Sequence, residues 1–254
     1  MSISNLDTSY VTFPCTNESL DAIVHSLDIS PEDNVLAIGG SGDPAFALLE
    51  YANSVAVLDI DPVQRDFIGN RLDLLKQGDV SSFVWPLNNE LDEQEKFELL
   101  RRKYGVNKNC GRRNSRNDYF FEEGRFERIR EKAEQFELLP PLDFSEIIGN
   151  VSEEGLIFNG LNMNKVYLSN ALFFSKTDTS KEEGFRNGLV NGLVNALPNG
   201  SLIYVADDVH FINGAYNWVE GLTIDEILTQ ESSDIQRRDK GYRNWTLTVL
   251  RIKK

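Results

Sequence analysis

Glycines and carboxylates follow two short apolar runs in the first quarter of the chain. The run at 35–38 ends in a glycine-rich turn, and the run at 55–58 ends in two acids. Glycine lets a ligand approach the backbone closely, and an acid after the second strand of a βαβ unit commonly holds ribose hydroxyls. The pattern therefore predicts a site for an adenosine-containing ligand; the alternative is a purely structural turn with Asp59 facing solvent. The residues concerned are Gly39, Gly40, Gly42, Asp59 and Asp61.

The apolar patterns predict the α/β fold class, a Rossmann-like, doubly wound and mostly parallel sheet that ends in an antiparallel strand. Short unbroken apolar runs are typical of parallel strands that are buried on both faces. Asp43 is expected to cap the helix after the glycine turn, with Pro44 at its first position. Strands are also predicted at 165–170, 201–206 and the C-terminus, and helices at 17–27, at 180–197, near 223–230 and from Asp61-Pro62 onwards.

Residues 77–145 interrupt the alternation of strands and helices. Two helical patterns, at 93–104 and 122–138, flank a basic polar stretch at 108–117. This predicts a helical insertion within a single domain that spans residues 1–254. Insertions in such folds often lie over the carboxyl ends of the strands, where ligands bind.

Composition limits the classes of partner and cofactor. The chain has 254 residues, of which 41% are hydrophobic, and a net charge of −14. That charge argues against broad contact with nucleic acid and against tight electrostatic attachment to an anionic membrane. Two distant cysteines and the absence of a signal-peptide pattern favour a cytoplasmic setting, and no apolar run is long enough for a membrane span. With only two histidines, no Cys/His metal cluster can form, so no metal is expected.

The order of these features resembles the class I S-adenosylmethionine-dependent transferases. The resemblance rests on the glycine turn, the acid after the second strand, the Leu-Pro-Asn-Gly turn at 197–200 and the antiparallel end. Those enzymes usually have alternating glycines in the first turn and an acid two residues before the first of them. Here the corresponding positions hold Gly39, Ser41, Asp43 and Ala37.

A narrower resemblance fits these departures. The segment at 40–49, Gly-Ser-Gly-Asp-Pro-Ala-Phe-Ala-Leu-Leu, is similar to the turn of the betaine-lipid-synthesis family, the S-adenosylmethionine:diacylglycerol 3-amino-3-carboxypropyltransferases. Leu-Asp-Ile-Asp-Pro-Val-Gln at 58–64, Gly-Arg-Phe-Glu-Arg at 124–128 and Tyr-Leu-Ser-Asn at 167–170 resemble further motifs of that family in the same order. The resemblance implies transfer of an aminocarboxypropyl group to a small-molecule or lipid acceptor, with release of methylthioadenosine, and it leaves peripheral membrane contact open.

The resemblance also implies residue roles. The turn would line the cofactor, S-adenosylmethionine, Asp59 would accept the ribose hydroxyls and Ile60 would flank the adenine. Tyr119 and His210 are candidates for catalysis and Arg125 for substrate binding. The expected cofactor-binding residues are Gly39, Gly40, Ser41, Gly42, Asp43, Asp59, Ile60, Asn170 and Ala171.

Several alternatives remain open from the sequence. Packing beside Phe120 and Phe121 is the favoured interpretation of Tyr119, and a surface ion pair is an alternative for Arg125. The group Arg112, Arg113 and Arg116 is interpretable as a site for an anionic substrate, although a solvated loop is favoured. The chain is also interpretable as a methyltransferase or as a non-catalytic nucleoside-binding module. A nicotinamide-dependent oxidoreductase is disfavoured by the Pro-Asn-Gly turn and the terminal hairpin.

Overall fold

The computed structural model describes residues 13, 15–16, 18–84, 110–141, 157–158, 161–169, 190–207, 219–239 and 246–254. The helices are α1 Leu20–Ser26, α2 Asp43–Leu49, α3 Pro62–Gln77, α4 Val80–Val84, α5 Cys110–Phe121, α6 Arg125–Glu131 and α7 Glu226–Arg238. The strands are β1 Asn34–Ile38, β2 Ser54–Leu58, β3 Phe136–Leu138, β4 Ile157–Phe158, β5 Leu161–Asn162, β6 Lys165–Ser169, β7 Leu202–Asp207, β8 Leu222–Ile224 and β9 Thr246–Ile252.

Seven strands form one sheet in the order β3-β2-β1-β6-β7-β9-β8. In this sheet β9 runs antiparallel to the other six strands, and β4 and β5 form a separate antiparallel pair. The predicted fold class, a mostly parallel doubly wound sheet with a C-terminal antiparallel strand, is confirmed. Because β1, β2 and β6 are parallel, their last residues meet at one edge, which we call the carboxyl edge.

Alternate residues of the central strands β1, β2, β6, β7 and β9 contribute to two separate cores. In β1, Val35 and Ala37 pack on one face with α1, α2, α3, α5 and α6, while Leu36 packs on the other face. The second face is covered by the helical stretch at 190–196. Burial on both faces explains why the strands appear in the sequence as unbroken apolar runs.

The insertion differs from the expected pair of helices. The described part of the basic polar stretch at 108–117 is helical and belongs to α5, and the helix predicted at 122–138 spans only Arg125–Glu131; Gly124, with a left-handed φ of 74°, separates α6 from α5. A 3-10 turn at Ala133–Gln135 then leads into β3, which pairs with β2 and becomes an edge strand of the main sheet. Three residues are too few to show a strand period. The helical pattern predicted at 93–104 lies outside the described residues.

Elements near the C-terminus agree with the sequence more closely. The predicted antiparallel strand is β9, and the described part of the helix predicted at 180–197 is helical at 190–196. The helix predicted near 223–230 begins only at Glu226, because residues 222–224 pair with β9 as β8. Within the described ranges, no helix has both the length and the apolar composition needed to cross a membrane.

Candidate functional site

The glycine turn connects β1 to α2 at the carboxyl edge. The Gly39 amide donates to the Leu58 carbonyl at 2.7 Å, so the turn is attached directly to the end of β2. Gly40 and Gly42 have φ values of 48° and 80°, in the left-handed region that favours glycine. A Cβ on Gly39 would lie only 2.8 Å from the Asp59 carboxylate. Glycine at these positions therefore serves both conformation and close packing.

Asp59 joins the two turns at this edge. Its Oδ2 accepts a hydrogen bond from the Gly40 amide, and its Oδ1 accepts one from the Asp61 amide, each at 2.9 Å. Burial raises the pKa of Asp59, and the two amide hydrogen bonds oppose that shift. A carboxylate has about four acceptor positions, so both oxygens retain capacity for a further donor such as a ribose hydroxyl.

An apolar surface adjoins Asp59. The Ile60 side chain is 64% exposed and that of Val63 is 38% exposed. Asp61 caps α3 by accepting from the Val63 amide at 2.9 Å, with Pro62 at the first helical position, as the sequence indicated. This cap fixes the start of α3 and thereby the positions of Ile60 and Val63, which flank it.

Asp43 does not act as the expected helix cap. Gly42 is the N-cap of α2 and has no side chain with which to cap it, while the Asp43 carboxylate is turned into the protein. Arg71 lies 2.7 Å from Oδ1, and the Arg116 Nε and Nη2 atoms lie 2.6 and 2.8 Å from Oδ2 and Oδ1. Burial alone raises the pKa of Asp43, but Arg116 and Arg71 outweigh it and hold that pKa well below its usual range.

This arrangement revises the expected cofactor role of Asp43. The Ser41 hydroxyl also donates to Asp43 Oδ2 at 3.0 Å, and Arg71 donates to the Ser41 carbonyl at 2.7 Å. The carboxylate is thus fully buried and surrounded by protein donors. We assign the Asp43 side chain to internal support of the turn, and any ligand contact here falls to the backbone.

Arg116 also differs from its sequence interpretation. It lies on α5 and is 2% exposed, so the solvated loop predicted for it is wrong. Its guanidinium donates to the Val84 carbonyl at 2.8 Å and lies 5.5 Å from the Phe120 ring centre. Arg71 and Arg116 are the buried residues of this region that the sequence analysis missed.

Tyr119 and Arg125 lie away from the glycine turn. Both contact Glu50, which accepts from the Tyr119 hydroxyl at 3.3 Å and lies 3.0 Å from Arg125 Nε. Glu50 follows the C-terminus of α2, which must run back along the sheet because β1 and β2 are parallel. Seven residues of helix span about 10 Å, so this cluster sits towards the opposite edge from Gly42.

The contacts of these two residues are structural. The Arg125 guanidinium lies 3.9 Å from the centre of the Tyr119 ring, and both side chains are less than 10% exposed. Burial raises the pKa of Tyr119 well above its ordinary value, which disfavours it as a base. The packing interpretation of Tyr119 and the ion-pair interpretation of Arg125 therefore fit the geometry, although the pair is buried and not on the surface.

The segment before α1 also reaches the carboxyl edge. The backbone of Phe13 exchanges hydrogen bonds with the Gln64 side chain on the first turn of α3, at 3.0 and 2.9 Å. The Thr16 amide donates to Asp43 at 2.8 Å. The mixed composition of residues 1–16 gives no local signal for this contact. Three expected site residues, Asn170, Ala171 and His210, lie outside the described residues.

Comparisons with known proteins give structural likeness at low sequence identity. No family model matches the sequence, and a search of curated proteins finds no significant match. Among solved structures, a rRNA methylase from Streptococcus thermophilus has 9% identity and a TM-score of 0.41, with 93% of this chain and 95% of that chain covered.

Two other solved structures have similar values. The N-methyltransferase NodS from Bradyrhizobium japonicum, in complex with S-adenosyl-L-homocysteine, has 9% identity and a TM-score of 0.42, with coverage of 93% and 86%. The cyclase SpnF has 9% identity and a TM-score of 0.46, with coverage of 92% and 79%. The function of the present chain is therefore argued from its own residues.

Proposed function

We propose that the chain is an S-adenosylmethionine-dependent transferase that moves the 3-amino-3-carboxypropyl group to a small-molecule or lipid acceptor. The observation that carries this proposal is the Gly40–Asp59 hydrogen bond. It holds a carboxylate with spare acceptor capacity beside a left-handed glycine turn at the carboxyl edge of a parallel sheet. Nucleotide-type ligands bind at that edge in open α/β sheets.

The residues present fit such a ligand. A Cβ on Gly40 would meet nothing within 4 Å, so the described residues leave space against the turn. Asp59 would hold the ribose hydroxyls, and the exposed side chain of Ile60 offers an apolar face for the adenine. The other proposed site residues are Asn170 and Ala171, which directly follow β6 in the sequence, and His210, which follows β7; all three lie outside the described residues.

Positioning is the main task of these residues. When bound, S-adenosylmethionine supplies a carbon activated by its sulfonium, which a nucleophile of the acceptor attacks as the carbon–sulfur bond breaks and a neutral thioether leaves. In-line displacements gain much of their acceleration from orientation. Asp59 is suited to this task because two backbone hydrogen bonds fix its carboxylate before any ligand arrives.

The choice of the aminocarboxypropyl group rests on the turn and on its motif resemblance. Ser41 and Asp43, which stand where alternating glycines are usual, are bonded to each other and to Arg71. The departure from the glycine pattern is thus supported by a buried network of its own. A turn of different shape would present a different carbon of the ligand to the acceptor.

The insertion is proposed to belong to the same domain, which spans residues 1–254. Its helix α5 reaches the turn through the Arg116–Asp43 ion pair, and β3 joins the main sheet. Residues 77–145 would therefore support the site from within the fold.

The test has two stages. Mass spectrometry of ligand retained through purification should detect S-adenosylmethionine or methylthioadenosine. Incubation with S-adenosylmethionine and candidate amine, hydroxyl and lipid acceptors should then yield methylthioadenosine. S-adenosylhomocysteine as the sole enzyme-dependent nucleoside product would replace aminocarboxypropyl transfer by methyl transfer. Absence of any binding would favour a module without this function.

A further inference from the structure

Glu18 is a buried carboxylate at the carboxyl edge with one oxygen left without a partner. It is 5% exposed, and its Oε1 accepts hydrogen bonds from the Tyr167 hydroxyl at 3.0 Å and from the Ser169 hydroxyl. Its Oε2 is buried and has no hydrogen-bond partner among the described residues, and the same is true of the hydroxyl of Tyr204, a neighbour that lowers the pKa of this carboxyl. Buried polar atoms are nearly always paired in folded proteins, so this oxygen requires an explanation.

The position of Glu18 places that oxygen near the glycine turn. Ser169 is the last residue of β6, which is the sheet neighbour of β1, with Tyr167 in register with Ala37. Neighbouring strands lie about 4.8 Å apart. Two residues before Glu18, the Thr16 amide is bonded to Asp43 at the start of α2. Glu18 therefore lies between the end of β6 and the turn that we propose holds the ligand.

No positive charge in the described part of the chain pairs with Glu18. The arginines of this region, Arg71 and Arg116, are bonded to Asp43 instead. Burial raises the pKa of Glu18, and the neighbouring hydroxyl groups only partly oppose that shift. An ionised carboxylate in such a place is costly unless a cation or a donor reaches its free oxygen.

We propose that Glu18 binds the positively charged part of the ligand held by the glycine turn, through its free Oε2. This inference rests on the proposed function, because S-adenosylmethionine carries two such groups, the sulfonium and the ammonium of its amino-acid part. Glu18 is then a ligand-binding residue that supplies the counter-charge. In the competing interpretation, it only anchors Ser169 at the end of β6.

Three ligands distinguish whether Glu18 contacts the sulfonium or the ammonium. Methylthioadenosine has neither cationic group, S-adenosylhomocysteine has the ammonium alone, and S-adenosylmethionine has both. Each is titrated by calorimetry into the wild-type protein, Glu18→Gln and the control Asp21→Asn. Asp21 is an exposed acid three residues further along on α1, so its variant removes the same charge from the same region.

Loss of a charge-assisted hydrogen bond should weaken binding roughly 10- to 100-fold. In Glu18→Gln we expect this loss for S-adenosylmethionine and unchanged binding of methylthioadenosine, which also shows that the variant is folded. An equal loss for S-adenosylhomocysteine assigns the contact to the ammonium, and no loss for it assigns the contact to the sulfonium. Asp21→Asn should bind all three ligands as the wild-type protein does.

Two results would overturn the inference. Unchanged affinity of Glu18→Gln for all three ligands would leave Glu18 as an anchor of Ser169 only, with the proposed function intact. Failure of the wild-type protein to bind any of the three would contradict the proposed function, and the inference with it. The two failures are therefore distinguishable.

A measurement on the wild-type protein covers the case in which Glu18→Gln does not fold. Calorimetry at mildly acidic pH, in two buffers of different ionisation enthalpy, reports protons released on binding. When S-adenosylmethionine binds, its cationic group should displace a proton from the Glu18 carboxyl, whereas methylthioadenosine should not. Both ligands contain the ribose, so any proton released by Asp59 contributes equally to the two measurements. Burial raises the pKa values of the nearby Tyr167 and Tyr204 hydroxyls well above their ordinary range, so these do not titrate there. Equal proton release by both ligands would contradict the proposal.

Discussion

The backbone amide of Gly40 donates a hydrogen bond of 2.9 Å to Oδ2 of Asp59 and so joins the turn after β1 to the turn after β2. The two residues are 19 positions apart, and the contact forms because β1 and β2 are adjacent and parallel. It orients the carboxylate proposed to hold the ribose. Substitutions that move this carboxylate should therefore affect ligand binding more than their cost in stability suggests.

Replacing Gly39 tests the packing of the turn against Asp59. The added Cβ of Gly39→Ala would lie 2.8 Å from Asp59 Oδ2 and from Ile68 Cδ1, so one of them must move. We expect a loss of about 1–3 kcal/mol in the free energy of unfolding and weaker S-adenosylmethionine binding, measured by chemical denaturation and calorimetry.

Gly200→Ala is the matched control. Gly200 has a φ of 87° and open space around its Cβ position, and it lies before β7 at the opposite edge of the sheet. The alanine should cost roughly 1–2 kcal/mol through backbone strain and leave ligand affinity unchanged. Equal binding by both variants would show that the Gly39–Asp59 packing does not govern the site.

Asp43→Asn should destabilise the fold strongly. It removes the charge that faces Arg71 and Arg116 in a fully buried site, and breaking a buried pair typically costs about 3–5 kcal/mol. Asp66→Asn is the control, because Asp66 is exposed and pairs with Arg65 only at 3.8 Å. Its loss should stay within about 1 kcal/mol. Similar denaturation midpoints for both variants would contradict the assigned role of Asp43.

The same ion pair predicts how stability responds to acid. The folded pKa of Asp43 lies below its unfolded value, because the two arginines outweigh the effect of burial. Its contribution is therefore fully present above the unfolded pKa of about 3.9 and is lost as the pH falls through the folded pKa. Denaturation of the wild-type protein between neutral and strongly acid pH should show this loss, and Asp43→Asn should show a shallower decline. If the stability of the two proteins fell in parallel with pH, Asp43 would not be the cause of the acid sensitivity.

Tyr119→Phe should leave ligand binding unchanged. The substitution removes only the hydroxyl that donates to Glu50, at the edge opposite the glycine turn. We expect a loss of about 0.5–1.5 kcal/mol in stability and wild-type affinity for S-adenosylmethionine. A clear fall in affinity for S-adenosylmethionine at unchanged stability would instead indicate that Tyr119 belongs to the ligand site.

The βαβ unit was predictable from sequence because its signals are local. The apolar runs, the glycines, Pro62 and the acids lie within about thirty residues and act on their own neighbours. The buried charges were not predictable in this way. Arg71 occupies the same helix stripe as Phe67, Ile68 and Leu74, so its spacing was a signal for burial, but nothing local identifies Asp43 as its partner.

Contacts between residues distant in sequence also explain why the roles of the N-terminal segment and of the insertion were not predictable. The partners of Glu18 lie about 150 positions away along the chain, and no periodic pattern marks a single buried carboxylate. In the insertion, the basic residues around Arg116 indicated solvent because isolated arginines are mostly exposed. Burial of Arg116 is favourable because its guanidinium pairs with Asp43, which is distant in the sequence.

Asp59→Ala tests the central claim most directly. Calorimetric titration of S-adenosylmethionine should show tight binding to the wild-type protein. Binding to the variant should be weaker by about 1.5–3 kcal/mol, because charge-assisted hydrogen bonds to the ribose are lost. Asp61→Ala, which loses the α3 cap but leaves Asp59 in place, should keep most of the affinity at a stability cost of about 1 kcal/mol. Unchanged affinity in Asp59→Ala, with the fold intact, would contradict the proposed site and the function built on it.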